Sequence, residues 1–465
     1  MNTHNVLFNG ACSLTHLAVP STHAYIATIC FPPKMIYKLL CCAPSKKIGP
    51  YDRATKKPGG PPKAKAQMNT GPDAAATINL KRYTEPESIW AALETKHVRL
   101  PKMSWLIQHA KNNGILPRRQ ELPEEAFISV QELKDLYGKG NRDGVLPIIA
   151  ISFCWDTAAH PDPRGKQLQT VAAMMEKERE KYATAHDSFE GFSEMGVFWD
   201  WLSIYQKDQD GKRTPFEQEG FRFALHETMD LWYAHQGTTV YMLTQLPEGS
   251  TRKVGYVDSG WTTYERCSAE QIKKFFLFDA QWKLVLDLGA EGDAAKARNW
   301  PVGPNDFDAM IDSKIFTNGA DKDAVKALFR KMSINQLGGI ETLDFDGMSC
   351  PSVEDARRLS GCLNFCLNLK RLDLCRVQLS DEAFKVMFST LSSGALASLK
   401  TLNLYGNQIG DTGLSALAKA ITPGPSGKGA LAPGATVNLL SNSATETGKQ
   451  AMRDAAKASG LSVYV

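Results

Sequence analysis

The sequence has no Cys-x-x-Cys pair, no glycine-rich phosphate loop ending in Gly-Lys-Ser/Thr, and no apolar run of the ~18 residues a membrane span needs. Each absence excludes something. Ten cysteines in 465 residues, without paired spacing, do not suggest a disulfide framework. Cys362 and Cys366 stand one helical turn apart with no zinc-ligand partner, so they read as small apolar side chains in a reducing, cytoplasmic setting. A transmembrane helix is not expected. The stretch from Leu17 to Cys42 is apolar only in patches, broken by Pro20, His23, Pro32, Pro33 and Lys34, and no cationic stretch precedes it, which reads against a signal peptide. Excess charge is also missing from the bulk of the chain. The net charge is +4, but residues 1–80 hold nine Lys/Arg against two Asp/Glu, and the remainder holds 45 against 48. A nucleic-acid-binding core, which carries its own basic face, is therefore not expected.

What is present divides the chain into parts. Residues 1–78 read as a disordered basic segment, with a Pro/Gly/Lys-rich linker from Pro44 to Gln67. Cys41 and Cys42 beside that lysine cluster suit acylation and attachment to an anionic membrane surface, although a plain disordered extension explains them as well. Residues 79–143 read as a helical lead-in, with Ser129 three before Glu132 forming a capping-box signal. Residues 144–290 alternate strands and helices. Strands are expected at Val145–Phe153, Val197–Leu202 and Thr239–Thr244, with a fourth within Phe275–Leu288. Helices are expected at Gly165–Tyr182, Phe216–Gln236 and Thr262–Lys274. Such alternation implies an α/β domain with a parallel sheet and ligands at the carboxyl ends of its strands.

Residues 291–335 read as a connector with a short helix near Asp321 to Lys331. Residues 336–465 repeat. Leu343-Asp-Phe345, Leu369-Lys-Arg-Leu-Asp-Leu374, Leu399-Lys-Thr-Leu-Asn-Leu-Tyr-Gly-Asn407 and Val437-Asn-Leu-Leu-Ser-Asn442 are one pattern, stepping 29 and then 30 residues from Leu343 to Leu372 to Leu402. This resembles ribonuclease-inhibitor-type leucine-rich repeats, implying a short α/β solenoid in which Asn407 ladders buried backbone at a turn. The resemblance implies a protein partner on the repeats; a structural cap on the preceding domain is the other reading.

Four segments carry chemistry. They are Ile151-Ser-Phe-Cys-Trp155, Val197-Phe-Trp-Asp-Trp-Leu-Ser-Ile-Tyr-Gln206, Met229-Asp-Leu-Trp-Tyr233 and Gly260-Trp-Thr-Thr-Tyr-Glu265. Their order resembles the fungal heterokaryon-incompatibility (HET) domain, itself similar to Toll/interleukin-receptor (TIR) domains. The resemblance covers about 150–275 and implies a flavodoxin-like parallel sheet. Two segments, His160-Pro-Asp-Pro and Phe192 to Met195, fall outside the pattern. The nucleotide-driven switch that commonly joins TIR domains to repeats is absent, because no P-loop occurs.

Several TIR domains cleave NAD at the nicotinamide-ribose bond, and the resemblance carries the catalytic glutamate onto Glu265, with NAD as substrate and no other cofactor. A carboxylate there suits the chemistry, since breaking an N-glycosidic bond builds positive charge on the ribose. Trp261, one turn before it, would shape the pocket, and Ser152, Trp155 and Asp200 would contact ribose and phosphate. The competing reading makes Trp261 core, pairs Glu265 with a base, and gives Asp200 to buried backbone donors. Two functions therefore stand: an NAD-cleaving signalling or defence enzyme, and a non-catalytic scaffold that self-associates into a homo-oligomer through the TIR/HET-like domain. Gln206 to Glu217 has EF-hand spacing, but Gln206 at its first position and Pro215 within it favour an Asp-Gly turn over calcium. His160 beside Asp162 reads as a proline-fixed loop.

Overall fold

A computed structural model describes residues 78–139, 143–184, 190–274, 282–289, 298–348, 351–389, 395–423 and 429–465. The basic linker and the Cys41-Cys42 acylation reading lie outside the described residues, as does most of Phe275 to Trp282. The fold is mixed α/β with two sheets, both wholly parallel.

After a single helical turn at Lys81–Thr84, the lead-in forms the longer helices α1 (Glu87–Glu94), α2 (Met103–Lys111) and α3 (Val130–Tyr137). The α3 start is the expected capping box: Glu132 N donates to Ser129 Oγ at 3.1 Å, and Ser129 N to Glu132 Oε2 at 2.8 Å. The chain then enters β1 (Ile148–Phe153), α4 (Lys166–Ala183), β2 (Gly196–Phe198), α5 (Pro215–Phe223), α6 (Met229–Ala234), β3 (Thr239–Leu243), α7 (Gly260–Ala269) and β4 (Val285–Asp287). The strand order is β2-β1-β3-β4. A single wide turn of π-helix, Ala224–Thr228, joins α5 to α6.

Every residue of β1 and β3 is buried, as their uninterrupted apolar runs require. The second strand is shorter than Val197–Leu202. It ends at Phe198, and Asp200–Ser203 forms one helical turn. The Asp200 carboxylate accepts from Trp201 N at 2.6 Å and Ser203 Oγ from Trp199 N at 3.1 Å, so side chains take the backbone donors that a longer ladder would have used.

Side chains alternate across β1, and each face finds different helices. Ile151 pairs with Tyr241 in register, and the Tyr241 hydroxyl meets that of Tyr182 on α4 at 2.8 Å. On the other face Phe198, paired with Ala150, stacks on Trp232 of α6 at 4.7 Å between ring centroids. Ser152 belongs to this second face, together with α6 and α7. Gly260 starts α7 because a Cβ there would run into the Phe316 ring.

The connector holds more helix than its polar sequence suggests: α8 (Pro304–Asp312) and α9 (Asp321–Gly339). The second sheet follows, β5 (Thr342–Asp344), β6 (Arg371–Asp373), β7 (Thr401–Asn403), β8 (Thr436–Asn438) and β9 (Ser462–Tyr464), in chain order. Its fifth strand extends the four-step pattern. Leu343, Leu372, Leu402, Val437 and Val463 align across it. Helices α10 (Val353–Leu363), α11 (Asp381–Ser389), α12 (Asp411–Ile421) and α13 (Glu446–Ala458) alternate with these strands. Asn407 donates to Leu374 O at 2.8 Å and Leu404 O at 2.9 Å, and accepts from Leu379 N at 2.9 Å. Asn442 repeats this one unit later, against Leu404, Leu439 and Ile409. Among the described residues no helix is long and apolar enough to cross a membrane.

Two stability outcomes follow. Asn407→Ala strands three buried backbone groups and should cost about 3 kcal/mol in denaturant unfolding, whereas a substitution at exposed Lys331 should be neutral. His235 is buried and neutral, with Nε2 against Glu85 O at 3.0 Å and Nδ1 accepting from Gly237 N at 3.1 Å. Burial, helped by the Lys273 charge, pushes its pKa down to about 4. Between this value and the ordinary 6.5 the unfolded chain binds the extra proton. Stability is thus fully present above pH ~6.5 and should fall by about 3 kcal/mol as pH drops toward 4, a slope that His235→Gln should flatten.

Candidate functional site

The first sheet's strand order reverses direction at β1 and β3, and such reversal points open a crevice at the carboxyl ends. Ser152 and Phe153 end β1 there, and Trp155 follows. Asp200 comes from the turn after β2, Tyr233 from α6, and Tyr256 and Glu265 from the crossover after β3.

Ser152 and Glu265 meet: the Ser152 hydroxyl donates to Glu265 Oε2 at 2.7 Å. It also lies 2.6 Å from the Tyr256 hydroxyl. A serine has one proton, so when Glu265 is ionised Tyr256 donates to Ser152 and Ser152 to Glu265. Tyr233 donates to Ile151 O at 3.2 Å and sits against the same carboxyl. Burial pushes the Glu265 carboxyl well above the usual carboxylate range, and the Asp200 charge adds to this, while the Ser152 and Tyr233 hydroxyls oppose it. The Tyr233 and Tyr256 phenols are raised too, first by burial and then by Glu265, so they remain donors.

Asp200 is held by Trp155. Its Oδ2 accepts from Trp155 Nε1 at 2.9 Å and its Oδ1 from Trp201 N. Burial raises its pKa to about 6, against the lowering effect of both donors. Asp200 therefore does serve a buried backbone donor, and its charge also acts on Glu265. Trp261 is turned elsewhere. Its indole N–H donates to Asp321 Oδ2 on α9 at 3.0 Å, and its ring meets Tyr264 edge-on.

Beside Trp155 opens a cavity of about 530 Å³. Trp155 and Trp201 line it, with ring centroids 5.2 Å apart and perpendicular, and His160 lies 5.2 Å from Trp201. Arg118, Lys207 and Arg213 supply positive charge, tempered by Glu121, which Arg118 contacts at 2.5 Å. The His160 loop is fixed as its prolines suggest: Nε2 lies 2.9 Å from Leu116 O, Nδ1 accepts from Asp162 N, and Asp162 accepts from Leu168 N on α4. Glu217 is spent on capping α5 through Thr214, and Asp208 closes a turn onto Lys212. Among the described residues no group of three or more His, Cys, Asp or Glu is placed to hold a metal ion.

Tyr256 and Arg118 are the contributions that sequence reading missed. Tyr256 stands in a loop with no periodicity, and Arg118 comes from the lead-in, far from the motif segments. Ser152→Ala should raise the Glu265 pKa further, and Trp155→Phe should raise that of Asp200 above 6, both readable from side-chain carboxyl carbon shifts across a pH titration. A scan against models of known protein families found no match, and neither did a search of curated proteins.

Proposed function

We propose that the chain is a TIR/HET-like signalling or defence protein that cleaves NAD at the nicotinamide-ribose bond, with a flavodoxin-like catalytic domain and leucine-rich repeats that dock a protein. The observation that supports this reading best is the Ser152–Glu265 hydrogen bond at one carboxyl edge of a parallel sheet, with the Asp200 charge acting on the same carboxyl. The 530 Å³ cavity beside that edge lies in the size range of small-molecule clefts. Its indoles offer faces for a flat ring, and its Arg and Lys side chains offer donors to a pyrophosphate.

In this reading Glu265 stabilises the cation that develops at the ribose anomeric carbon. The carbon-nitrogen bond breaks and its electron pair goes to the nicotinamide ring, cancelling the pyridinium charge. Water supplies the oxygen to that carbon and loses a proton to solvent. The bound pyridinium, being a cation, draws the raised Glu265 pKa down toward the carboxylate that the step requires. Ser152 and Tyr256 hold the carboxylate in place.

One observation favours the non-catalytic scaffold instead. Glu265 is absent from the walls of the large cavity, and its carboxyl is already enclosed by hydroxyls. The experiment that separates the two uses the full chain at high protein concentration, with nicotinamide release from NAD followed by chromatography. Glu265→Gln is expected to lower release at least ~100-fold. Release should also fall with decreasing pH, with a midpoint above the ordinary carboxylate value of ~4.3, because the ionised form is the active one. Equal release from both proteins, or none from either, would sink the enzyme reading; a concentration-dependent increase in size without release would leave the scaffold.

A further inference from the structure

A second cavity, of about 180 Å³, lies where α7, the connector and α10 come together. Three cationic side chains from three segments reach it: Arg266 on α7, Lys314 just beyond α8, and Arg358 on α10. Two carboxylates share the walls, and both are already engaged. Glu270 accepts from Asn299 N at 3.0 Å and from Asn299 Nδ2 at 3.2 and 3.0 Å, with Arg266 Nε 3.5 Å away. Asp355 accepts from Ser352 N at 3.0 Å and Ser352 Oγ at 2.7 Å as the cap of α10.

The cations are under-used. Arg266 Nε makes no hydrogen bond and is held only by the 3.5 Å ion pair with Glu270. Arg358 gives only its Nε, to Glu354 at 3.1 Å, and Lys314 makes no side-chain hydrogen bond among the described residues. Glu270 partly balances Arg266, but the remaining Arg358 donors and the Lys314 ammonium converge on the same small space without an acceptor among the described residues, which suits an anion from outside. Trp300, Pro301, Val302 and Met310 form the apolar part of the wall, which lowers the local dielectric and strengthens such contacts. The volume lies below the ~300 Å³ at which ordinary ligand clefts begin, which favours a small anion over a larger ligand.

We infer that this cavity binds a small oxyanion of the phosphate class through Arg266, Lys314 and Arg358. The site touches the carboxyl edge described above through one residue. Tyr256 lines the cavity, and its hydroxyl is the one bonded to Ser152. The inference does not depend on what that edge catalyses, because it concerns binding alone.

The test is calorimetric titration of the full chain with inorganic phosphate, against chloride at matched ionic strength, with thermal unfolding as a second readout. The wild type should bind one phosphate saturably and unfold at a higher temperature in its presence. Lys314→Gln and Arg358→Gln should each weaken binding at least ~10-fold, the usual cost of losing a charged hydrogen bond. Arg358→Lys, which keeps the charge and loses the planar fork, should fall between. Lys331→Gln, exposed and remote from the walls, should bind as the wild type does. Lys314 is at the rim, so its variant carries the test if Arg358→Gln fails to fold. No saturation above the chloride control, or wall variants that bind as tightly as the wild type, would overturn the assignment.

Discussion

The parallel pairing of β1 with β3 is the constraint on which the site depends. Their register sets Ser152 beside Met242 and turns Ser152 toward α6 and α7. A slip of one residue would turn every β1 side chain to the opposite face and put Ser152 against α4. The apolar residues around it prevent this. Ile148, Ile149, Ala150 and Ile151 are all fully buried, so both faces of the strand are specified by packing. A slip would set each isoleucine against neighbours shaped for another side chain, and such mispacking costs ~1–3 kcal/mol per site. The hydroxyl of Ser152 is thus aimed by hydrocarbon.

Once Ser152 is placed, electrostatics decide the state of the edge. Two carboxyls, Asp200 and Glu265, are brought together in a partly dry crevice, where both resist ionisation. Hydroxyl and indole donors partly offset this. A cation near this edge would favour the ionised form of both carboxyls. That property is shared by the two functional readings, since a carboxyl pair held by hydroxyls can also be a rigid structural knot.

Polar contacts join α9 to the helices packed on the first sheet. Trp261 reaches Asp321, Gln271 reaches Ser333 at 3.3 Å, and Gln336 donates to Ala234 O at 2.8 Å. Lys273 is fully enclosed and donates to Thr238 O and Oγ1, and Arg298 donates to Glu270 O. Burial holds the Lys273 ammonium far below its ordinary pKa. Such groups are costly when left unpaired, so the contacts of Trp261, Gln271 and Gln336 fix how α9 docks. Trp261, read from its spacing as a pocket residue, is part of this junction.

The periodic features were legible in the sequence by itself. The apolar runs of β1 and β3, the Ser129 capping box and the leucine steps from Leu343 to Leu402 each arise from local geometry or a repeated environment, and each sits where its pattern puts it. The roles of Asn407 and of the Asp208 turn were legible for the same reason. What tertiary structure alone decided is which side chains meet. Val197–Leu202 reads as one strand, yet Asp200 takes backbone donors and breaks it. Trp261 and Glu265 are one turn apart on a helix, yet one faces α9 and the other Ser152. Tyr256, Arg118 and the cluster of Arg266, Lys314 and Arg358 carry no pattern, because long-range packing assembles them from segments far apart in the chain. Periodicity encodes which face of an element is buried; it holds no record of what is packed against that face.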